Sequence, residues 1–277
     1  MDYVKPADLV ANMVDAGARK GALSIGQLLL RGILSGALLG VSTSLAVGAN
    51  VQTGQPIVGA LIFPVGFVMI CLLGLELVTG SFALLPMAAL DGHINATQVL
   101  KNWICVFIGN LIGSIIYAGL ISIVLTNGGA TAPNAVGQAL IKIAVAKTHG
   151  YEQLGGAGIL TAFVKAMLCN WMVCLGVAMS MVATSVLGKI VAAWLPIVIF
   201  FAQGFEHAVV NMFVIPAGMM MGANVSAYNW WVWNQIPVTL GNIVGGFLFT
   251  GLALYATQPK VKEVTDVAQV VKRTKAA

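Results

Sequence analysis

The sequence predicts an all-α integral membrane protein, six transmembrane helices in two inverted three-helix repeats, with the second and fifth helices broken. Three observations predict it. Of the 277 residues, 59% are hydrophobic and 8% charged, against about 25% charged in soluble domains. The apolar residues arrive in long blocks of spanning length. The same short motifs also recur in the two halves of the chain, in the same order.

The segment 1–26 comes first. Within it, residues 6–20 carry Leu9, Val10, Met13 and Val14 at helical spacing, with Pro6 placed for a first turn. This predicts a short amphipathic helix lying on the inner membrane face. No signal peptide is visible, because Asp2, Lys5, Asp8, Asp15, Arg19 and Lys20 interrupt any apolar core. Segment 27–256 is read as a six-span transmembrane domain, with apolar stretches near 27–49, 57–90, 103–125, 157–184, 191–221 and 231–256. A straight span needs about 20 residues, so the second and fifth are too long. Each is also interrupted, the second by Leu75-Glu76-Leu77-Val78-Thr79-Gly80-Ser81 and the fifth by Gly204-Phe205-Glu206-His207. A tail at 257–277 carries Lys260, Lys262, Lys272, Arg273 and Lys275.

Lysine and arginine orient the chain. The N-terminal segment, Lys101, Lys189 and the basic tail fall on one side, and the uncharged loops 50–56 and 221–230 on the other, with the longer loop 126–156. The positive-inside rule therefore puts both termini of this multi-pass protein in the cytoplasm. The repeat is read from Arg31 and Lys165, from Gly74-Leu75-Glu76 and Gly204-Phe205-Glu206, and from Gly109-Asn110-Leu111-Ile112-Gly113 and Gly241-Asn242-Ile243-Val244-Gly245. Thirty-four residues separate Glu76 from Asn110, and 36 separate Glu206 from Asn242. Three spans per half force the second half to insert upside down. Broken helices at membrane depth are tolerated where they pack in protein or line a pathway, which indicates a channel or transporter.

Other classes find little support. The chain has 3 histidines, no CxxC pair, no His-rich metal set and no Gly-rich phosphate loop, so no catalytic residue, metal or cofactor is expected. Cys71, Cys105, Cys169 and Cys174 lie in apolar stretches and read as packing residues. The net charge of +5 is not interleaved with aromatics, which argues for membrane orientation and against nucleic acid.

A carboxylate in a bilayer is costly and has a task. Glu76 and Glu206 sit at the breaks, where they are expected to accept backbone N–H bonds or face a helix N-terminus. His207 lies beside Glu206 and near Asn211, either as a core hydrogen-bonding group or as a pathway residue able to lend a proton. Its repeat counterpart is read as Val78, with Thr79 next to it offering a hydroxyl to an anion or to His207. Phe63, Phe67, Leu77, Phe200 and Phe205 flank the breaks, as plain packing or as two apolar constrictions around His207. Lys147, in the loop before the fourth span, is either solvated or an attractor of anions at a funnel mouth.

These motifs resemble the formate/nitrite transporter family. The resemblance is carried by Glu76-Leu77-Val78-Thr79-Gly80, Leu168-Cys169-Asn170-Trp171-Met172-Val173-Cys174-Leu175, Gly204-Phe205-Glu206-His207-Ala208-Val209-Val210-Asn211-Met212-Phe213, and Ile236-Pro237-Val238-Thr239-Leu240-Gly241-Asn242-Ile243-Val244-Gly245-Gly246. It implies an aquaporin-like protomer assembled as a homopentamer, with one pore per protomer. It also implies a small monovalent anion as substrate, formate first and nitrite or hydrosulfide next, with possible coupling to protons. His207 would be the central pore histidine and Thr79 would face it. Phe63, Phe67, Leu77, Phe200 and Phe205 would be constriction positions, Lys147 the outer anion-attracting lysine, and Asn170 and Asn242 polar residues around the histidine. Two departures stand out: an insertion around Gly150–Gly156, and Val78 where formate channels often carry phenylalanine, which implies a wider inner constriction. A neutral-solute pore of the water or glycerol type is the alternative, disfavoured by His207 and by the lack of Asn-Pro-Ala boxes.

Overall fold

A computed structural model describes residues 3–257. The basic tail beyond Thr257, with the orienting charges read there, lies outside the described residues. Among them are eleven helices. The first, α1 (Pro6–Ala22), precedes α2 (Ile25–Thr53). Next come α3 (Pro56–Ile62), α4 (Pro64–Leu72) and α5 (Val78–Leu90), followed by α6 (Ala96–Leu125). The second half runs α7 (Ala135–Glu152), α8 (Gly156–Val182), α9 (Val186–Ala202), α10 (Ala208–Met220) and α11 (Ala227–Thr257).

Four of these, α2, α6, α8 and α11, are long and apolar enough to cross a membrane. The shorter apolar helices α3–α4 with α5, and α9 with α10, make the two broken passes. The result is six passes in two three-pass halves. The sequence missed a second interruption in the first broken pass, at Phe63 between α3 and α4, where Pro64 follows. It also missed two π-helical stretches inside α11, Trp231–Gln235 and Gly245–Leu252. The loop 126–156 is largely helical, because it contains α7.

The helix α1 does not spend its apolar side on lipid. Val10, Met13 and Val14 are buried against Leu84 and Met87 of α5 and Ala178 of α8. Its C-terminal end is fastened to α6. Lys101 Nζ donates to the carbonyls of Gly21 at 3.1 Å and Leu23 at 2.9 Å, as a cation near the last turn of a helix favours.

Both breaks are built by the same device. α4 ends with Gly74 at φ 63° and α9 with Gly204 at φ 63°, a left-handed turn that glycine adopts without strain. The following N–H groups of Leu75 and Phe205 return to Ile70 O at 3.0 Å and Phe200 O at 3.1 Å. This is a Schellman stop. The chain then runs extended for a few residues and restarts as α5 or α10.

Glycines set how closely the intact passes approach. A Cβ on Gly113 of α6 would overlap the carbonyl of Ile33 on α2, and one on Gly245 of α11 would overlap the carbonyl of Met167 on α8. Overpacking of this kind costs about 1–3 kcal/mol. Gly113→Ala and Gly245→Ala are each expected to lower the thermal midpoint of the purified protein. Gly119→Ala, with open space at its Cβ, is expected to leave it unchanged.

Candidate functional site

A helix that restarts inside a bilayer exposes N–H groups with no intrahelical partner. Two asparagines of the intact passes answer them. Asn110 Oδ1 accepts from Val78 N at 3.0 Å, and its amide donates to Glu76 O at 3.0 Å and Gly32 O at 2.9 Å. Asn242 does the same at the other break, with Oδ1 accepting from Ala208 N at 2.8 Å and its amide donating to Glu206 O at 3.0 Å and Ala166 O at 2.8 Å. The expectation that Glu76 and Glu206 accept these backbone bonds is therefore corrected. The asparagine side chains reach across from α6 and α11, and the carboxylates turn to lysines.

Glu76 pairs with Lys20 of α1 at 2.8 Å, and Glu206 pairs with Lys147 of α7 at 2.7 Å, with each carboxylate 2–3% exposed. Lys147 is thus neither a solvated loop residue nor a free cation. The two carboxylates differ in their second oxygen. Glu206 also accepts from Tyr151 Oη at 2.7 Å and Asn211 Nδ2 at 2.7 Å. Glu76 Oε2 is buried without a hydrogen-bond partner, as is Ser81 Oγ at the position that Asn211 fills in the other half. Lys20, Tyr151 and Asn234, which braces Lys147 O at 2.9 Å, were not found in the sequence. The signal that could have found Lys20 is its place ahead of α2, matching that of Lys147 ahead of α8.

The equivalence of Glu76 with Glu206 makes Leu77, and not Val78, the counterpart of His207. Leu77 and His207 share φ −114° and ψ 119° as the caps of α5 and α10. The correction follows from geometry, since Val78 is already the first helical residue and its N–H is spent on Asn110. Thr79, whose counterpart is Val209, crosses to the other break. Its Oγ1 lies 3.1 Å from His207 Nε2, with both residues at most 3% exposed.

The hydrogen bonds assign the imidazole's proton. Val210 N donates to His207 Nδ1 at 3.2 Å, so Nδ1 is an acceptor and the proton sits on Nε2. Nε2–H then donates to Thr79 Oγ1, which leaves the threonine hydroxyl hydrogen free to point elsewhere. Phe200 lies nearly parallel to the imidazole, with ring centroids 5.7 Å apart at 21°. Phe63 in turn packs edge-on to Phe200 at 5.6 Å. On the side of the N-terminal helix, Phe67 and Leu77 line a cavity of about 500 Å³ together with Arg19, Lys20 and Arg31. Phe205 is half-buried at its break.

The remaining polar residues brace this contact. Asn170 Nδ2 donates to Thr79 O at 3.1 Å and Asn242 O at 2.6 Å. Asn211 binds Glu206 and Asn234, and Asn242 is spent on its break. Nearest the chemistry are His207, Thr79 and Phe200. The site residues Asn170, Asn211, Asn242, Lys147, Glu76 and Glu206 hold those three in place.

On the face opposite the N-terminal helix, His149 closes α7 onto the loop before α11. Its Nδ1 lies 2.6 Å from Glu152 Oε2 and its Nε2 lies 2.7 Å from Asn224 O. Both partners only accept, so only the imidazolium makes both bonds. The Asn224 carbonyl, and then Glu152, hold the proton affinity of His149 above that of an ordinary histidine. A raised folded value gives a contribution that is full below the ordinary value, about pH 6.5, and is lost as pH rises through the folded value. His149→Gln is therefore expected to lower the thermal midpoint in mild acid and to leave it unchanged in alkali, as measured by unfolding scans across pH.

Comparison with known proteins agrees with this architecture. Residues 7–256 match the family model described as "Formate/nitrite transporter". A "Probable formate transporter" of Methanothermobacter thermautotrophicus is 32% identical over 278 residues, covering 93% of this chain and 98% of the relative. A solved structure described as "FNT family ion channel" superposes with a TM-score of 0.79 at 27% identity, covering 91% of this chain and 99% of the other. Another, a "Pentameric formate channel with formate bound", gives a TM-score of 0.68 at 28% identity, covering 84% and 97%. With its paired breaks and a match running through all six passes, the chain belongs to the formate/nitrite transporter family.

Proposed function

We propose that this protein passes formate across a membrane, and that the solute crosses at the contact between Thr79 and His207. The observation that carries the reading is this 3.1 Å contact, where, among the described residues, the two breaks meet through side chains that can exchange a proton. A bound formate in a structurally similar pentameric channel supports both the substrate and an assembly of five copies. The basic vestibule supports an anion, since Arg19, Lys20 and Arg31 there outnumber the carboxylate of Glu76. We place the N-terminal face in the cytoplasm of a bacterial inner membrane, on the lysine and arginine pattern, with segment 27–256 as the conducting domain.

The physics is a trade between charge and desolvation. An anion passing Phe67, Leu77 and Phe200 sheds water at a cost of several kcal/mol unless it is paired or neutralised. Thr79 offers a hydroxyl hydrogen to one formate oxygen. Giving up the Nε2 proton outright would leave His207 an imidazolate, so a proton from the aqueous phase must first reach Nδ1, displacing its bond from Val210 N–H, and one external proton is consumed for each formate neutralised. The Nε2 proton then moves to Thr79 Oγ1 as the threonine proton moves to formate. The products are formic acid and neutral imidazole of the other tautomer, and protons and charges balance. Asn170, Asn211, Asn242 and the Lys147–Glu206 pair fix the two partners while this happens.

Nitrite and hydrosulfide are also small monovalent anions with a protonated form, so the same geometry admits them. A flux panel of formate, nitrite, hydrosulfide, acetate and glycerol on reconstituted protein ranks the substrates, and faster glycerol than formate would support the neutral-solute pore. The central test uses proteoliposomes and His207→Asn. Asparagine can accept from Val210 N–H and donate to Thr79, but it cannot carry a proton. Formate flux in the variant is expected to fall by about tenfold or more in acid, the lower end of general acid effects or below, and to vary less with pH than wild type. Superimposable pH curves for the two proteins would remove His207 from the proton path.

A further inference from the structure

The vestibule beside Glu76 has a side chamber away from the contact between Thr79 and His207, neither of which lines it. It is a cavity of about 340 Å³ lined by Asn12 and Arg19 of α1, Cys71 of α4, Ser180 of α8 and Lys189 of α9. Arg19, Cys71 and Ser180 also line the vestibule, so the two spaces adjoin at the arginine. No acidic residue lines the chamber. Among the described residues, neither Arg19 nor Lys189 makes an ion pair or a side-chain hydrogen bond, and Asp8 and Asp15 of α1 make none with Arg19. The other two cations lining the vestibule do have partners: Lys20 has Glu76 and Arg31 has Gly74 O.

The chemistry of this lining is one-sided. A guanidinium, an ammonium and an amide from two different helices supply donors, and no carboxylate supplies an acceptor. Such a set is complementary to an oxyanion with several acceptor oxygens. The space is also much larger than formate needs, so the ligand carries a further group. We propose that this chamber binds a phosphate group, borne either on a small soluble molecule or on a lipid headgroup, with Arg19 and Lys189 as its charged contacts and Asn12 as a neutral donor. A ligand there ties α1 to α9. Because α1 also carries Lys20, occupancy holds that lysine on Glu76 at the floor of the vestibule. Arg19 is shared with the vestibule, so the site is tested by phosphate binding itself, a readout that formate passage does not move.

The experiment uses the purified full-length protein and reads binding, not flux. Inorganic phosphate and glycerol phosphate are titrated at constant ionic strength against chloride while the thermal midpoint is followed. In parallel, nanodiscs of equal parts phosphatidylcholine and phosphatidylglycerol are examined by native mass spectrometry for retained phosphatidylglycerol. Wild type is expected to show a saturable upward shift of the midpoint with a soluble phosphate, or selective retention of the anionic lipid. The first outcome assigns a soluble ligand and the second a headgroup. Arg19→Gln and Lys189→Gln are each expected to weaken the response about tenfold, the loss of one charge-assisted contact. Lys142→Gln, an exposed lysine of α7, is expected to leave it intact. The proposal is overturned if wild type shows neither response, if chloride matches phosphate, or if the response persists in the double variant.

Discussion

A helix cannot stop and restart inside a bilayer unless other protein groups satisfy its open backbone. Asn110 and Asn242 meet that demand, and much of the rest follows from where they must stand. Each sits on an intact pass and reaches both sides of a break, the carbonyl before it and the first helical N–H after it. To reach that far, α6 must lie against α2 and α11 against α8 at glycine-limited distance. The carboxylates are thereby released from capping and are free to pair with Lys20 and Lys147. Buried pairs of this kind add little net stability. Here they fasten the peripheral helices α1 and α7 to the breaks.

The two halves share a scaffold and differ in chemistry. At the cap position one half has Leu77 and the other His207, and two residues on one half has Thr79 and the other Val209. Each half therefore contributes one polar group to a contact that neither could make with a copy of itself. The same divergence appears one turn further along. Asn211 saturates Glu206, while Ser81 is too short to do so for Glu76. A site at the seam between repeats, polar on one side through a hydroxyl and on the other through an imidazole, is what an inverted repeat with unequal halves provides.

Much of this was legible in the sequence, because it was written in residue types that membranes rarely tolerate. Two buried glutamates, two Gly-Asn-x-x-Gly segments and over-long apolar runs located the breaks and the repeat. The His207–Thr79 pairing was open to the same reading. The register slipped by one residue, to Val78, although the matched glutamates already set Leu77 opposite His207 in the sequence, and the equal torsion angles of the two caps bear that alignment out. The role of the carboxylates was misread for a different reason. Which group caps a break depends on which side chain reaches it from another helix, and no local pattern states that. Tyr151 and Lys20 were missed because they lie far from Glu206 and Glu76 in the chain, on helices whose docking is a matter of packing. Lys147 read as a loop residue because the periodicity of α7 is weak.

The central claim is that His207 stands at the seam as a neutral ring with its proton on Nε2, directed at Thr79. Nitrogen-15 magnetic resonance of protein labelled at histidine, assigned with His207→Asn, measures this directly. The account predicts an unprotonated Nδ1, a protonated Nε2 and a through-space contact from that proton to the Thr79 side chain at neutral pH. A proton on Nδ1, or an imidazole with no contact to Thr79, would contradict it.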